Sequence, residues 1–303
     1  LIQRHQQPPM PEAPVLDTGF RRYEDYIAHG EKHDVLEHHL ADRLPQLFSG
    51  RERIRMLDIG AGTGRLTRQV SRLFWQAGIQ LEIVALEPCR RAKQRFLDSH
   101  GDQEIQITLQ ERAFSIGAPL DRPPYDFILA SHVCYYFEDK GAFLTQVMNS
   151  LAEGGHALFV GTSISILQND LYRTILPRLR MRPDLSRTFD SDGRMDFAEE
   201  IECSLFDQNI VFTRDVLPSH IAFSLAEISL DLEAIEAENI EGGPVLKALS
   251  FLWRFSVASL LTERDAWRTL FRAQIGLGQS LSLNYEDIVL TAAKSPTLSH
   301  PNK

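Results

Sequence analysis

The sequence predicts an α/β protein built on a doubly wound, mostly parallel sheet. Two observations carry this. Between residues 54 and 161, short apolar runs alternate with amphipathic stretches, the order that pairs strands in parallel through right-handed helical crossovers. The first apolar run also empties into a turn with glycine at every second position, Gly60, Gly62 and Gly64, and a helix-like segment follows.

The elements follow in order. Residues 1–18, with Gln3, Gln6, Gln7, Pro8, Pro9, Pro11 and Pro14, cannot pack a core and are expected to form a flexible tail. Residues 19–50 form an N-terminal helical cap: Ile27, Val35, Leu36, Leu40, Leu44 and Leu47 fall at helical spacing, with a break at Gly30 and a stop at Pro45 that divide it into two short helices. Residues 51–165 form the core. Its strands are Ile54–Ile59, Leu81–Leu86, Glu104–Leu109, Phe127–Ser131 and His156–Gly161, and its helices are Leu66–Ala77, Cys89–Ser99 and Gly141–Leu151. Over 166–280 the rhythm changes to a largely helical, substrate-covering elaboration with one core strand. Leu167–Leu179 and Phe197–Asp207 read as helices, Ile210–Leu217 as the strand, and 225–273 as helices interrupted at Gly242–Pro244. Residues 281–293 close the sheet, and 294–303 are tail.

Composition excludes several classes of function. The 303 residues carry 32 Lys+Arg against 41 Asp+Glu, a formal net charge of −9, which argues against nucleic-acid or basic membrane-surface binding. No apolar run approaches the roughly 18 residues of a membrane span. Cys89, Cys134 and Cys203 are odd in number and widely spaced, so they make neither a disulfide framework nor a zinc pattern. With no signal peptide at the start, a cytoplasmic setting is expected, and the start at Leu1 implies a trimmed chain. The acid run Asp231, Glu233, Glu236, Glu238, Glu241 reads as a solvated helix face. His29, His33, His38 and His39 lack a further ligand at metal-binding spacing, so no metal is expected.

The chemistry concentrates in Met56–Leu66, MLDIGAGTGRL. A strand delivers Asp58, and the glycines then let the backbone take positive φ and approach a ligand closely. The following helix start offers free N–H groups. Asp58 either meets the ligand or organises the loop. A second strand ends in Glu87, about 20 residues on, where a carboxylate can accept from both hydroxyls of a ribose. Tyr125–Asp139, YDFILASHVCYYFED, brings a polar strand tip, and Leu151–Ser163 contains a Gly-Gly strand start.

This succession, over roughly 54–163, resembles class I S-adenosylmethionine-dependent methyltransferases. The resemblance implies a Rossmann-like sheet whose last strand runs antiparallel, S-adenosylmethionine as cofactor and S-adenosylhomocysteine as product. It places Gly60, Ala61, Gly62 and Gly64 along the methionine and ribose, with Asp58 behind them and Glu87 and Pro88 at the ribose hydroxyls. Glu111 to Phe114, including Arg112 and Ala113, would line the adenine, and Ser131 and His132 would lie near the sulfonium. The N-terminal RRYEDYIAHGEKHDVLEHHLADRLP, the Tyr-Tyr of CYYFED and the helical 245–273 region resemble the histamine N-methyltransferase family. That likeness assigns Tyr135 and Tyr136 to catalysis, and His132 joins them because of where it lies, just after the polar strand tip. It assigns Tyr23, Tyr26, Glu31, Lys32, Tyr135, Tyr136, Phe255, Ser282 and Asn284 to the substrate.

The chain also departs from that family. Lys32 stands where an acid is expected, His132 replaces a glutamine, and Ser282 or Asn284 stands where an asparagine is expected. A Lys there repels a cationic amine, so an acceptor with a carboxylate also enters consideration.

The expected activity is methyl transfer to a small molecule, favouring nitrogen, by a monomer or homodimer. Two alternatives stand beside it. One is a cyclase in which the cofactor's α-amino group attacks its own γ-carbon, giving azetidine-2-carboxylate and methylthioadenosine. The other is a non-catalytic S-adenosylmethionine-binding scaffold or sensor.

Overall fold

A computed structural model of the chain describes residues 32–99, 106–121, 123–163, 197–239, 241–252 and 257–294. The first helix, α1 (Lys32–Leu47), is followed by β1 (Arg53–Ile59), α2 (Arg65–Gln76), β2 (Gln80–Leu86), α3 (Arg90–Ser99) and β3 (Gln106–Gln110). Next come β4 (Tyr125–Ser131), a 3-10 turn at Cys134–Tyr136, α4 (Lys140–Ser150) and β5 (Leu151–Ser163). The remaining elements are α5 (Phe197–Asp207), β6 (Phe212–Phe223), α6 (Leu225–Glu236), α7 (Pro244–Leu252), α8 (Val257–Leu260), α9 (Arg264–Leu277) and β7 (Leu281–Ala293).

The strands form one sheet in the order β3-β2-β1-β4-β5-β7-β6. β1 through β5 pair in parallel. β7 inserts antiparallel between β5 and the edge strand β6. This is the doubly wound sheet expected from the alternation, with its single reversed strand second from the edge.

Alternating residues build two cores. Leu57, Ile59, Ile128 and Ala130 face a layer that holds Phe143 and Leu144 of α4 and Ile201 and Leu205 of α5. Met56, Ile83, Phe127, Leu129 and Val160 face the other, which holds Leu36, Leu40 and Leu44 of α1, Val70 and Phe74 of α2 and Phe96 of α3. The strands are buried on both faces, which is why they read as unbroken apolar runs.

α1 runs on to Leu47, two residues past Pro45, where the sequence suggested a stop. A proline in a last turn removes one backbone donor without breaking the turns before it. Leu44 and Phe48, buried on either side of it, hold the segment down.

β6 and β7 outrun the sheet. They pair from Phe212↔Ala292 to Phe223↔Leu281, whereas Ser163, the last described residue of β5, meets Glu286. Leu281–Tyr285 therefore projects about 17 Å beyond the parallel strands at ~3.4 Å per residue. A third core forms on this overhang: Ile221 and Phe223 of β6 and Leu281 and Tyr285 of β7 pack against Ile228, Ile235, Leu246, Leu249, Trp267 and Phe271 of the helices α6 to α9.

The acid run contains one correction. Asp231 is fully buried, with 0% exposure, rather than part of a solvated face. It accepts hydrogen bonds from the backbone N–H groups of Gly243, Val245 and Leu246 at 3.1, 2.7 and 3.1 Å, and so caps α7. A Cβ on Gly243 would come within 2.7 Å of that carboxylate, which is why glycine precedes Pro244.

Candidate active site

The carboxyl ends of β1, β2, β4 and β5 converge at one edge, the place where open α/β sheets hold ligands. β1 arrives there with Asp58. Its carboxylate is 3% exposed and accepts a 2.6 Å hydrogen bond from the Thr67 hydroxyl of α2. Burial, with some help from the charge of Glu87, pushes Asp58 up from 3.8 to about 7, against the opposing Thr67 bond.

The glycine turn then reverses the chain into α2. Gly60, Gly62 and Gly64 have φ of 73°, 57° and 72°, left-handed values that strain any residue with a Cβ. Gly60 also lacks room, since a Cβ would meet Val133 Cγ1 at 2.3 Å. The backbone N–H groups of Gly60 and Ala61 both donate to the Leu86 carbonyl, at 2.8 and 3.0 Å. Gly64 caps α2 with no side-chain hydrogen bond.

Glu87 locks this turn to β2. Its Oε2 accepts from the Gly62 N–H and its Oε1 from the Cys89 N–H, each at 2.7 Å, and the residue is 6% exposed. Burial raises its pKa, and the two backbone donors oppose that rise. A Cβ on Gly62 would meet no atom of the described residues within 4 Å. The turn is therefore tied down by Glu87 on one side and open on the other, which fits a ligand that carries hydroxyls and lies along the backbone.

The structure places the other expected residues unevenly. Ser131 ends β4, and His132 follows with φ 55°, left-handed for a residue with a Cβ, its N–H donating to the Val160 carbonyl at 2.7 Å. Tyr136 lies in the 3-10 turn and is 70% exposed. Arg112 reaches back to the Gln110 side chain at 2.7 Å. Phe114 is buried against Phe137 and Phe143, with ring centroids 5.7 and 5.3 Å away, so it supports the floor of the site. Cys134 is fully buried, and burial holds its thiol above the usual range.

Lys32 opens α1 and Tyr135 lies in the 3-10 turn, but their side chains lie outside the described part, as do Tyr23, Tyr26, Glu31 and Phe255 entirely. Ser282 and Asn284 are exposed on the overhang, while Tyr285 and Asp287 of the same strand are buried. Residues that the sequence reading left out are Thr67, Thr162 and Asp287. The Thr162 hydroxyl donates to Asp287 Oδ1 at 2.9 Å. A signal for Asp287 was present: it shares the two-residue period of Val289 and Thr291, which are buried.

α1 braces this edge from both sides. Glu37 lies 3.6 Å from Arg65 at the start of α2, and Arg43 lies 3.4 Å from Asp215 of β6. Among the described residues no group of three His, Cys, Asp or Glu side chains could hold a metal ion. No described helix is long and apolar enough to cross a membrane.

The family described as a methyltransferase domain matches residues 32–187, more than half of the chain. No curated protein matches the chain. Among solved structures, it is similar to the YcgJ protein of Bacillus subtilis, with a TM-score of 0.48 and 14% identity over 85% of this chain and 99% of that one. It is also similar to a putative methyltransferase of Bacillus halodurans, with a TM-score of 0.48 and 14% identity over 84% and 98%. Phosphoethanolamine N-methyltransferase 2 of Haemonchus contortus gives a TM-score of 0.49 and 17% identity over 95% of this chain and 61% of that one.

Proposed function

From the chain's membership of the methyltransferase-domain family, established by the match over residues 32–187, we propose that it transfers a methyl group from S-adenosylmethionine to the nitrogen of a small molecule. The observation that carries the reading is the glycine turn with Glu87: a buried carboxylate holds an otherwise open loop at the carboxyl edge of the sheet.

Glu87 would hold the ribose hydroxyls, and the backbone of Gly60 to Gly64 would lie along the ribose and methionine. Asp58 fixes the start of α2 through Thr67. S-adenosylmethionine supplies a methyl group on a positively charged sulfur, with a neutral thioether as leaving group. With the cofactor bound, the acceptor's nitrogen would take the methyl group as the S–C bond gave its electrons to sulfur, and His132 or solvent would receive the nitrogen's proton. Because the leaving group needs no acid, the protein's contribution is positioning and exclusion of water. Tyr136 and its neighbour Tyr135 would present aromatic faces to the positive charge.

Kinship to histamine N-methyltransferases within the family rests on the paired tyrosines and on the segment around Tyr23, Tyr26 and Glu31. The departures at Lys32 and His132 make a different acceptor the expected one. The large elaboration after residue 166 and the acidic net charge of −9 favour a small acceptor over a nucleic acid.

Product analysis tests the reading. Pure protein incubated with S-adenosylmethionine and a metabolite extract should yield S-adenosylhomocysteine only when the extract is present. Methylthioadenosine formed without any acceptor would mean cyclisation, and binding without either product would mean a sensor. Both would overturn the assignment.

A further inference from the structure

The glycine turn and the turn that carries the paired tyrosines meet at one side chain. Gly60 leaves a gap where other residues carry a Cβ, and the side chain of Val133 fills it. A Cβ on Gly60 would lie 2.3 Å from Val133 Cγ1 and 3.5 Å from Val133 Cβ. Gly60 thus serves two ends: its φ of 73° suits a residue without a Cβ, and its bare Cα takes up the Val133 methyl. Gly60 is also held in place, because its N–H and that of Ala61 both donate to the Leu86 carbonyl, at 2.8 and 3.0 Å.

The backbone delivers Val133 to that contact. His132, at φ 55°, bends the chain between β4 and the 3-10 turn. The other described residues with a Cβ and a positive φ, Asn209 and Glu238, stand just past the ends of α5 and α6, where a left-handed residue is a usual helix stop. His132 follows a strand instead, so helix termination does not account for its costly conformation. What the bend accomplishes is a change of direction, and Val133 is the first residue after it. The His132 N–H, bonded to the Val160 carbonyl at 2.7 Å, anchors the bend to β5.

Val133 also starts the tyrosine turn. Its carbonyl accepts from the Tyr136 N–H at 3.0 Å. The back of the turn is fixed to the core: Cys134 is fully buried, and Phe137 stacks on Phe143 with ring centroids 4.2 Å apart. The Lys140 ammonium donates to the Phe137 carbonyl and lies 3.2 Å from Glu200 of α5. Val133 therefore touches the glycine turn with its side chain and holds Tyr136 with its carbonyl.

We propose that Val133 is a positioning residue: through Gly60 it sets the Tyr135–Tyr136 turn, and His132 before it, at a fixed distance from the cofactor turn, so that acceptor and methyl group meet in line. The proposal rests on the methyl-transfer reading for what the two turns hold, and on the Gly60 contact for the coupling between them. Glu87 and the Leu86 carbonyl hold the glycine turn without Val133. Shortening Val133 therefore leaves cofactor binding in place and loosens the geometry of transfer, where a displacement of about 1 Å can cost on the order of 100-fold in rate.

The test uses the full chain, with hydrogen exchange read by mass spectrometry over residues 131–137. Gly60→Ala, which drives a methyl group into Val133, should speed exchange there about 10-fold in the wild-type background and less than about 2-fold in a Val133→Ala background. Equal acceleration in both backgrounds would show that the turns are not coupled through Val133 and would overturn the proposal. Should Gly60→Ala fail to fold, S-adenosylmethionine serves as the perturbation. It should slow exchange over 131–137 about 10-fold in the wild type and in Val133→Ile, which keeps the branch, but less than about 3-fold in Val133→Ala. Calorimetric affinity for S-adenosylmethionine should change less than about 3-fold in both variants, since Glu87 holds the turn independently. S-adenosylhomocysteine formation with a fixed metabolite extract should fall about 10-fold in Val133→Ala and return to within about 3-fold of the wild type in Val133→Ile. Wild-type protection and turnover in Val133→Ala, or a loss confined to its affinity for S-adenosylmethionine, would overturn the proposal. Failure of the wild type to bind S-adenosylmethionine would instead overturn the methyl-transfer reading, and exchange in the two Gly60→Ala backgrounds would still decide the coupling.

Discussion

Two regions of this chain bury acids, and they use them in opposite ways. In the overhanging helical cap, Asp231 takes three backbone N–H groups from a single helix start, and the surrounding helices seal it completely. At the parallel edge, Glu87 takes two backbone N–H groups from two different turns, beside a glycine whose missing side chain leaves open space. Burial and hydrogen bonding of a carboxylate are therefore common to architecture and to binding. What separates them is the neighbouring backbone: closed around Asp231, open beside Glu87.

Three perturbations sharpen that contrast. The largest is Trp267→Ala in the cap. Trp267 is 0% exposed and its indole N–H donates to the Leu260 carbonyl at 2.9 Å. Its loss should cost about 4 kcal/mol. Hydrogen exchange should locate the loss in α6 to α9 and leave β1, β2 and β4 protected. Equal deprotection of both regions would show that the cap and the parallel core unfold as one unit.

The second concerns pH and the parallel edge. Asp58 stands near 7 in the folded protein against 3.8 ordinarily, because burial outweighs its bond from Thr67. Between those values the unfolded chain has lost its proton while the folded protein still holds it. The contribution of Asp58 to stability is therefore full below about pH 4, is lost as pH rises through 7, and changes no further above. The full span is on the order of 4 kcal/mol. Urea denaturation across pH 4–8 should show this decline, to which the raised Glu87 and Asp231 also contribute, and Asp58→Asn should reduce it. An unchanged slope in the variant would remove Asp58 from the account.

The smallest is Asp231→Ala, which leaves three buried N–H groups of α7 without their acceptor and should cost about 2 kcal/mol in chemical denaturation. Affinity for S-adenosylmethionine should remain that of the wild type, which is the point of the comparison. A loss of affinity here would mean that the cap and the cofactor edge are coupled.

The sequence made the parallel edge legible because its determinants are local. Asp58 near the end of β1 and the three glycines of the turn fall within seven residues, and Glu87 directly follows the next strand, so the strand pattern aligned them. Thr67, the partner of Asp58, escaped notice because a hydroxyl one turn into an amphipathic helix looks like surface. The overhang was harder to read. Ser282 and Asn284 attract attention as polar residues, yet one residue of register separates them from the buried Tyr285 and Asp287, and such a step moves a side chain to the opposite face. Asp231 resembled its solvated neighbours Glu233 and Glu236 because charge runs do not reveal that another helix start, a dozen residues later, folds back onto one member.

Calorimetric titration of S-adenosylmethionine into the wild type and Glu87→Ala tests the central claim most directly. Glu87 makes charge-assisted bonds on both oxygens and would meet the ribose hydroxyls, so its removal should weaken binding about 100-fold, or ~3 kcal/mol. The variant should keep its native far-ultraviolet circular dichroism. One-site binding to the wild type with that loss is the expected result. Equal affinity in a folded Glu87→Ala would contradict the assignment of this edge as the cofactor site.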